Sequence, residues 1–142
     1  MLTAARRVIV TGVCGGIGSA TAATFTDAGW SVIGVDRTAP VESLAVDEFV
    51  VADLAADDGV SELHNELSHV DELHALINNA AIQVNRPLVE TSDEEWDLVM
   101  HTNVRAAFRM IRAFHPALAA ASGAVVNVGS VHSVATSANV SV

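Results

Sequence analysis

The chain has 142 residues, 51% of them hydrophobic, and a formal net charge of −10. That length and apolar content suffice for a folded unit with a core of its own and exclude wholesale disorder. The acidic balance makes nucleic acid and anionic membrane poor partners, no apolar stretch is long enough to span a bilayer, and the one cysteine, Cys14, excludes an internal disulfide.

This cysteine usage fits a reducing, cytoplasmic compartment. The segment from Met1 to Arg7 is too short before the first strand to act as a signal peptide. A strand is predicted over Arg7–Thr11, with the β-branched run Val8, Ile9, Val10. It ends in a glycine turn, and a helix over Ile17–Ala28 follows at once, closed by Gly29. Ser31–Val35 reads as the second strand, ending at Asp36, and Glu48–Ala52 as the third. A helix is expected over Asp57–His69, and Leu73–Asn78 is the fourth strand. Ser92–Ala121 reads as one long helical region opened by the capping box Ser92-Asp93-Glu94-Glu95. Its predicted apolar stripe is Trp96, Val99, Met100, Val104, Ala107, Phe108, Ile111 and Leu118, and Pro116 predicts a kink or a break. Ala124–Val128 is the fifth strand, after the turn at Ser122-Gly123.

Alternation of apolar strands with helices implies a parallel sheet covered on both faces. With a glycine turn directly after the first strand, the expected fold is α/β: a doubly wound, Rossmann-like sheet of order 3-2-1-4-5 in a single dinucleotide-binding domain over 1–142. Strand, glycine turn and helix form a phosphate cradle. The glycines leave room for a pyrophosphate, and the helix start offers free N–H groups and the positive end of its dipole. Asp36 stands where a ribose-binding carboxylate belongs; it would accept from both adenosine hydroxyls and repel a 2′-phosphate, favouring NAD over NADP. Arg37 beside it weakens that preference, because a guanidinium can bind such a phosphate. Cys14 in the turn reads as a small filler, and His101 and His132 have no partners at metal-like spacing, so no metal site is expected.

The glycine spacing is Thr11-Gly12-x-x-x-Gly16-Ile17-Gly18, wider than the common G-x-G-x-x-G. It resembles the glycine motif of the short-chain dehydrogenase/reductase family. Further motifs arrive in that family's order. Asn78-Asn79-Ala80-Ala81 is similar to its Asn-Asn-Ala-Gly, with Ala81 in place of Gly, which bears on how closely the backbone approaches a cofactor there. Asp53-Leu54 follows the third strand, where the resemblance implies an acidic contact to the adenine edge; a plain helix-preceding Asp is the other reading. Asn103, a poor interior helix residue, matches a family Asn that sits in a helix irregularity and supports a water relay to the catalytic lysine. Ser130, at the end of Val126-Asn127-Val128-Gly129-Ser130, matches the serine that hydrogen-bonds the substrate oxygen; Ser133, Ser137 and Ser141 lie nearby.

The resemblance implies NAD(P) binding and hydride transfer between nicotinamide and a carbonyl or alcohol carbon. In the family a Tyr is the general acid/base and a Lys four positions later lowers its pKa from about 10. This sequence contains no Tyr, and counted from Ser130 the family's Tyr would fall just past Val142. The expectation is therefore the N-terminal part of such an enzyme, C-terminally incomplete and inactive by itself. The alternatives are a non-catalytic nucleotide-binding or assembly module and an inactive product of gene interruption. An unpaired edge at Ala124–Val128 and an uncovered stripe on the long helix predict self-association or aggregation.

Overall fold

The computed structural model describes residues 5–135, 137, 139 and 140; the Ser141 alternative lies outside them. Five strands make one parallel sheet: β1 (Arg7–Thr11), β2 (Ser31–Asp36), β3 (Glu48–Val51), β4 (Ala75–Asn78) and β5 (Ala124–Asn127). Their order is β3-β2-β1-β4-β5, as the sequence predicts. The helices are α1 (Gly16–Asp27), α2 (Gly59–Glu66), α3 (Asp93–Met100) and α4 (Ala106–Ala120). The chain winds outward from β1 in one direction to β3, then returns to the other side of β1 at β4. The chain leaves the carboxyl ends of β1 and β4 toward opposite faces, to α1 and to α4, which opens a crevice there, the place where open α/β sheets bind ligands.

Side-chain alternation along the strands builds a core on each face. Ile9, Ile33, Val35, Val50 and Leu76 pack with Leu54, Val60 and Leu63 and with Met110, Phe114 and Leu118 of α4. On the opposite face Val8, Val10, Val32 and Ile77 pack with Val13 and with Ala22 of α1, flanked by Phe25 and Trp30. Burying this much aliphatic surface at about 25 cal/mol per Å² is the main driving force for the fold.

Four expectations are corrected. The long helix is two α-helices joined by a π-helical turn over His101–Arg105. One inserted residue rotates everything after it by about 100° around the axis, so a stripe counted at constant spacing slips off the core. Val104 and Phe108 are accordingly exposed, while Ala106, Met110, Phe114 and Ala117 take the buried positions; Trp96, which precedes the turn, is exposed as well. Second, Pro116 does not break α4, which continues to Ala120; the neighbouring turn faces water, which can satisfy the carbonyl that Pro116 leaves unpaired. Third, β5 is exposed along its length rather than covered on both faces. Fourth, several predicted bounds were too generous: α2 ends at Glu66 rather than His69, and β4 starts at Ala75 rather than Leu73. Leu67, Val70 and Leu73 are buried all the same, in the loop that follows α2.

Candidate functional site

Thr11 closes β1 and joins it to β4. Its side chain is buried; Oγ1 donates to the Ile77 carbonyl at 3.2 Å and accepts from the amides of Asn79 and Ala80, each at 3.0 Å. Asn79 returns the contact: its Nδ2 donates to the carbonyls of Thr11 at 2.9 Å and Gly12 at 3.2 Å. The two strand ends thus hold each other and present the glycine loop between them.

That loop is crowded on its inner side and open on its outer side. Gly12 has φ +66°, and a Cβ there would stand 2.8 Å from the Ala80 Cα. A Cβ on Gly18 would overlap the carbonyl of Gly12, so α1 can press against the turn only through glycine. Around Gly16, in contrast, a Cβ would meet nothing within 4 Å. The N-cap of α1 is Gly15, which supplies no side-chain hydrogen bond. The first amides of α1 therefore face the crevice unclaimed by the helix.

Asp36 is tied to this loop. Its Oδ2 accepts from the Cys14 amide at 3.0 Å and its Oδ1 from the Thr38 amide at 3.4 Å. The Cys14 thiol is pushed above the ordinary thiol range, first by desolvation and then by the neighbouring Asp36 charge and its hydrogen bond. Asp53, after β3, is exposed and folds its Oδ1 back onto the Ala55 amide at 3.0 Å.

These elements enclose a cleft of about 370 Å³ at the carboxyl ends of β1, β2, β3 and β4. Gly12, Gly16, Ile17, Gly18, Asp36, Arg37, Asp53, Leu54, Asn79, Ala80 and Ala81 all line it. Sequence reasoning missed Gly15, Val35, Ala52 and Ala55, which neighbour residues it named, and Ile82, Leu98 and Thr102, on the side of α3. Leu98 and Thr102 are four residues apart on one helical face, a spacing that could have paired them, but only the fold turns that face toward the glycine loop.

Asn103 and Ser130 stand outside the lining. Asn103 lies in the π-helical turn, so the irregularity anticipated at this Asn is present. It holds the backbone of Ile82: Oδ1 accepts from the amide and Nδ2 donates to the carbonyl, both at 2.9 Å. Ser130 follows β5, beyond a last ladder bond from the Val128 amide to the Asn78 carbonyl at 2.9 Å. It is exposed, and its Oγ accepts from the His132 amide at 3.2 Å, capping a short 3-10 turn over Val131–Ser133.

A doubly wound parallel sheet with this loop at its crevice is the architecture of dinucleotide-dependent oxidoreductases. Residues 6–142 match the family model described as short chain dehydrogenase, and the chain belongs to the short-chain dehydrogenase/reductase family. It is 36% identical over 146 residues to L-xylulose reductase of Mesocricetus auratus, covering 98% of this chain and 59% of that protein. It is 30% identical over 138 residues to the 3-oxoacyl-[acyl-carrier-protein] reductase FabG of Chlamydia trachomatis, covering 89% and 56%. The chain thus spans less than two thirds of the length of these curated relatives. An oxidoreductase of the family from Brucella ovis, solved with a partially ordered NAD, superposes with a TM-score of 0.84 at 28% identity, over 92% of this chain and 65% of that one. A metagenomic short-chain oxidoreductase solved with NADP gives 0.83 at 26% identity, over 95% and 66%. No helix among the described residues is long and apolar enough to cross a membrane.

Proposed function

We propose that the cleft binds a nicotinamide dinucleotide, NAD in preference to NADP, and that residues 1–142 are the cofactor-binding domain of an oxidoreductase acting on a carbonyl or secondary alcohol. The observation that carries this reading is the carboxylate of Asp36, tethered to the glycine loop at the end of β2. It sits where two ribose hydroxyls can donate to it and where a dianionic 2′-phosphate would be repelled. The open face at Gly16 and the unclaimed amides of α1 suit the pyrophosphate. Bound there, the dinucleotide supplies or accepts the hydride. Isothermal titration with NADH and NADPH tests the preference; tighter NADPH binding overturns it.

On this reading Ser130 hydrogen-bonds the substrate oxygen, and Asn103 keeps the loop at Ile82 in place beside the cofactor. Hydride transfer to a carbonyl builds an alkoxide, which needs an acid of suitable pKa within reach. The 142 residues contain no Tyr, and Ser130 can offer a hydrogen bond but no tuned proton. These residues alone therefore bind cofactor with negligible turnover. NADH absorbance over a panel of alcohols and ketones checks this; turnover that Ser130→Ala abolishes would refute it.

Among the described residues β5 has β4 as its only sheet neighbour, and Val125, Val126 and Val128 are exposed with Phe108 of α4. An unpaired apolar edge of this kind invites strand pairing, so the chain by itself associates with further copies. The free, exposed Cys14 suits a reducing, cytoplasmic setting.

A further inference from the structure

The adenine end of the cleft is a turn, residues 53–58, between β3 and α2, and its shape comes from bonds within it. The Ala55 amide donates to Asp53 Oδ1 at 3.0 Å and the Ala56 amide to the Asp53 carbonyl at 3.2 Å. Among the described residues, the side-chain hydrogen bonds that reach residues 53–57 of this turn from another element come from Arg109 of α4; the Gly59 amide at the start of α2 also donates to the Ala56 carbonyl, at 3.4 Å. Arg109 Nη1 donates to the Ala56 carbonyl at 3.0 Å, and its Nη2 approaches Asp57 Oδ1 at 3.5 Å. The Arg109 side chain is only 20% exposed, whereas that of Asp57 is 90% exposed. The long contact to a solvated carboxylate contributes little. The carbonyl bond from a mostly buried guanidinium is the anchor. Arg109 itself does not line the cleft.

We infer that Arg109 is a positioning residue for adenine recognition: from the far side of the turn it sets the placement of Asp53, whose unengaged Oδ2 accepts from the exocyclic amino group of the base. This rests on the reading of the cleft as a dinucleotide site. The planar guanidinium holds Nη1 in a fixed direction toward the Ala56 carbonyl, which the rotatable ammonium of a lysine does less well.

The test compares NADH with nicotinamide hypoxanthine dinucleotide (reduced), which carries an oxo group in place of that amino group. General loosening of the fold weakens both ligands alike, so the ratio of their dissociation constants isolates the contact. The wild-type chain should favour NADH by about fivefold. Arg109→Met, which keeps the stem and removes the donors, should bring the ratio close to one. Arg109→Lys should fall between, and Asp57→Ala should match wild type. Circular dichroism confirms folding of each variant, and the Lys variant alone decides should the Met variant not fold. A wild-type chain without the preference, or a preference kept in both Arg109 variants, overturns the inference. A wild-type chain that binds neither dinucleotide refutes the cofactor reading instead.

Discussion

Asn103 grips Ile82 by both halves of its backbone, accepting from its amide and donating to its carbonyl at 2.9 Å each, across 21 residues of sequence. The π-helical turn makes this possible: it carries a side chain that competes for backbone bonds into a place where the helix has a register to spare. The grip fixes the segment after β4, whose Asn79, Ala80, Ala81 and Ile82 form one wall of the cleft.

Replacing Asn103 by Ala should lower the unfolding free energy by about 1 kcal/mol, the net value of two partly solvated hydrogen bonds. Asn103→Asp should be no better, because its second oxygen would face the Ile82 carbonyl. Urea titration of the three proteins measures both differences.

Two glycines in the first turn of α1 should behave oppositely. Gly18→Ala forces a methyl into the Gly12 carbonyl and should cost more than about 2 kcal/mol. Gly16→Ala meets open space and should leave stability within about 0.5 kcal/mol while weakening NADH binding, since the methyl enters the cleft. Thermal melts paired with titration separate the two effects.

Cys14 should alkylate slowly for an exposed thiol. Its folded pKa is raised by desolvation and by Asp36, so the neutral thiol is the favoured form. The associated stability is present below the ordinary thiol pKa and fades as pH rises through the folded value. The pH profile of iodoacetamide labelling should therefore lie above that of the urea-unfolded chain. Asp36→Asn should shift it downward by removing the negative charge; an unmoved profile would exclude Asp36 as a cause.

Self-association through the β5 edge should respond to one charge. Light scattering coupled to size exclusion should find the 142-residue chain larger than a monomer at tens of micromolar, on the order of usual working concentrations, and Val126→Lys should reduce the associated fraction. A stable wild-type monomer, or association unchanged in the variant, would count against the edge.

Fold and cleft were legible to a large degree because they rest on local rules. Strands with β-branched apolar runs, a glycine turn after the first of them and helices between them permit few topologies, and the observed order is among those few. The cleft residues read from sequence cluster for the same reason: each follows the carboxyl end of a strand, and parallel strands bring those ends together.

The sequence by itself thus determined the winding of the sheet and which loops meet. The tertiary structure decided which side of the long helix is inside: Asn103 marks an irregularity, but only the fold shows a π-helical turn that puts Met110 and Phe114, instead of Val104 and Phe108, into the core. It also decided the long-range partners: Thr11 with Asn79, Asn103 with Ile82, Arg109 with Ala56. Each is a polar bond between a side chain and the backbone of a distant segment. Such a bond depends on distance and angle after packing, and residue type and spacing along the chain encode neither.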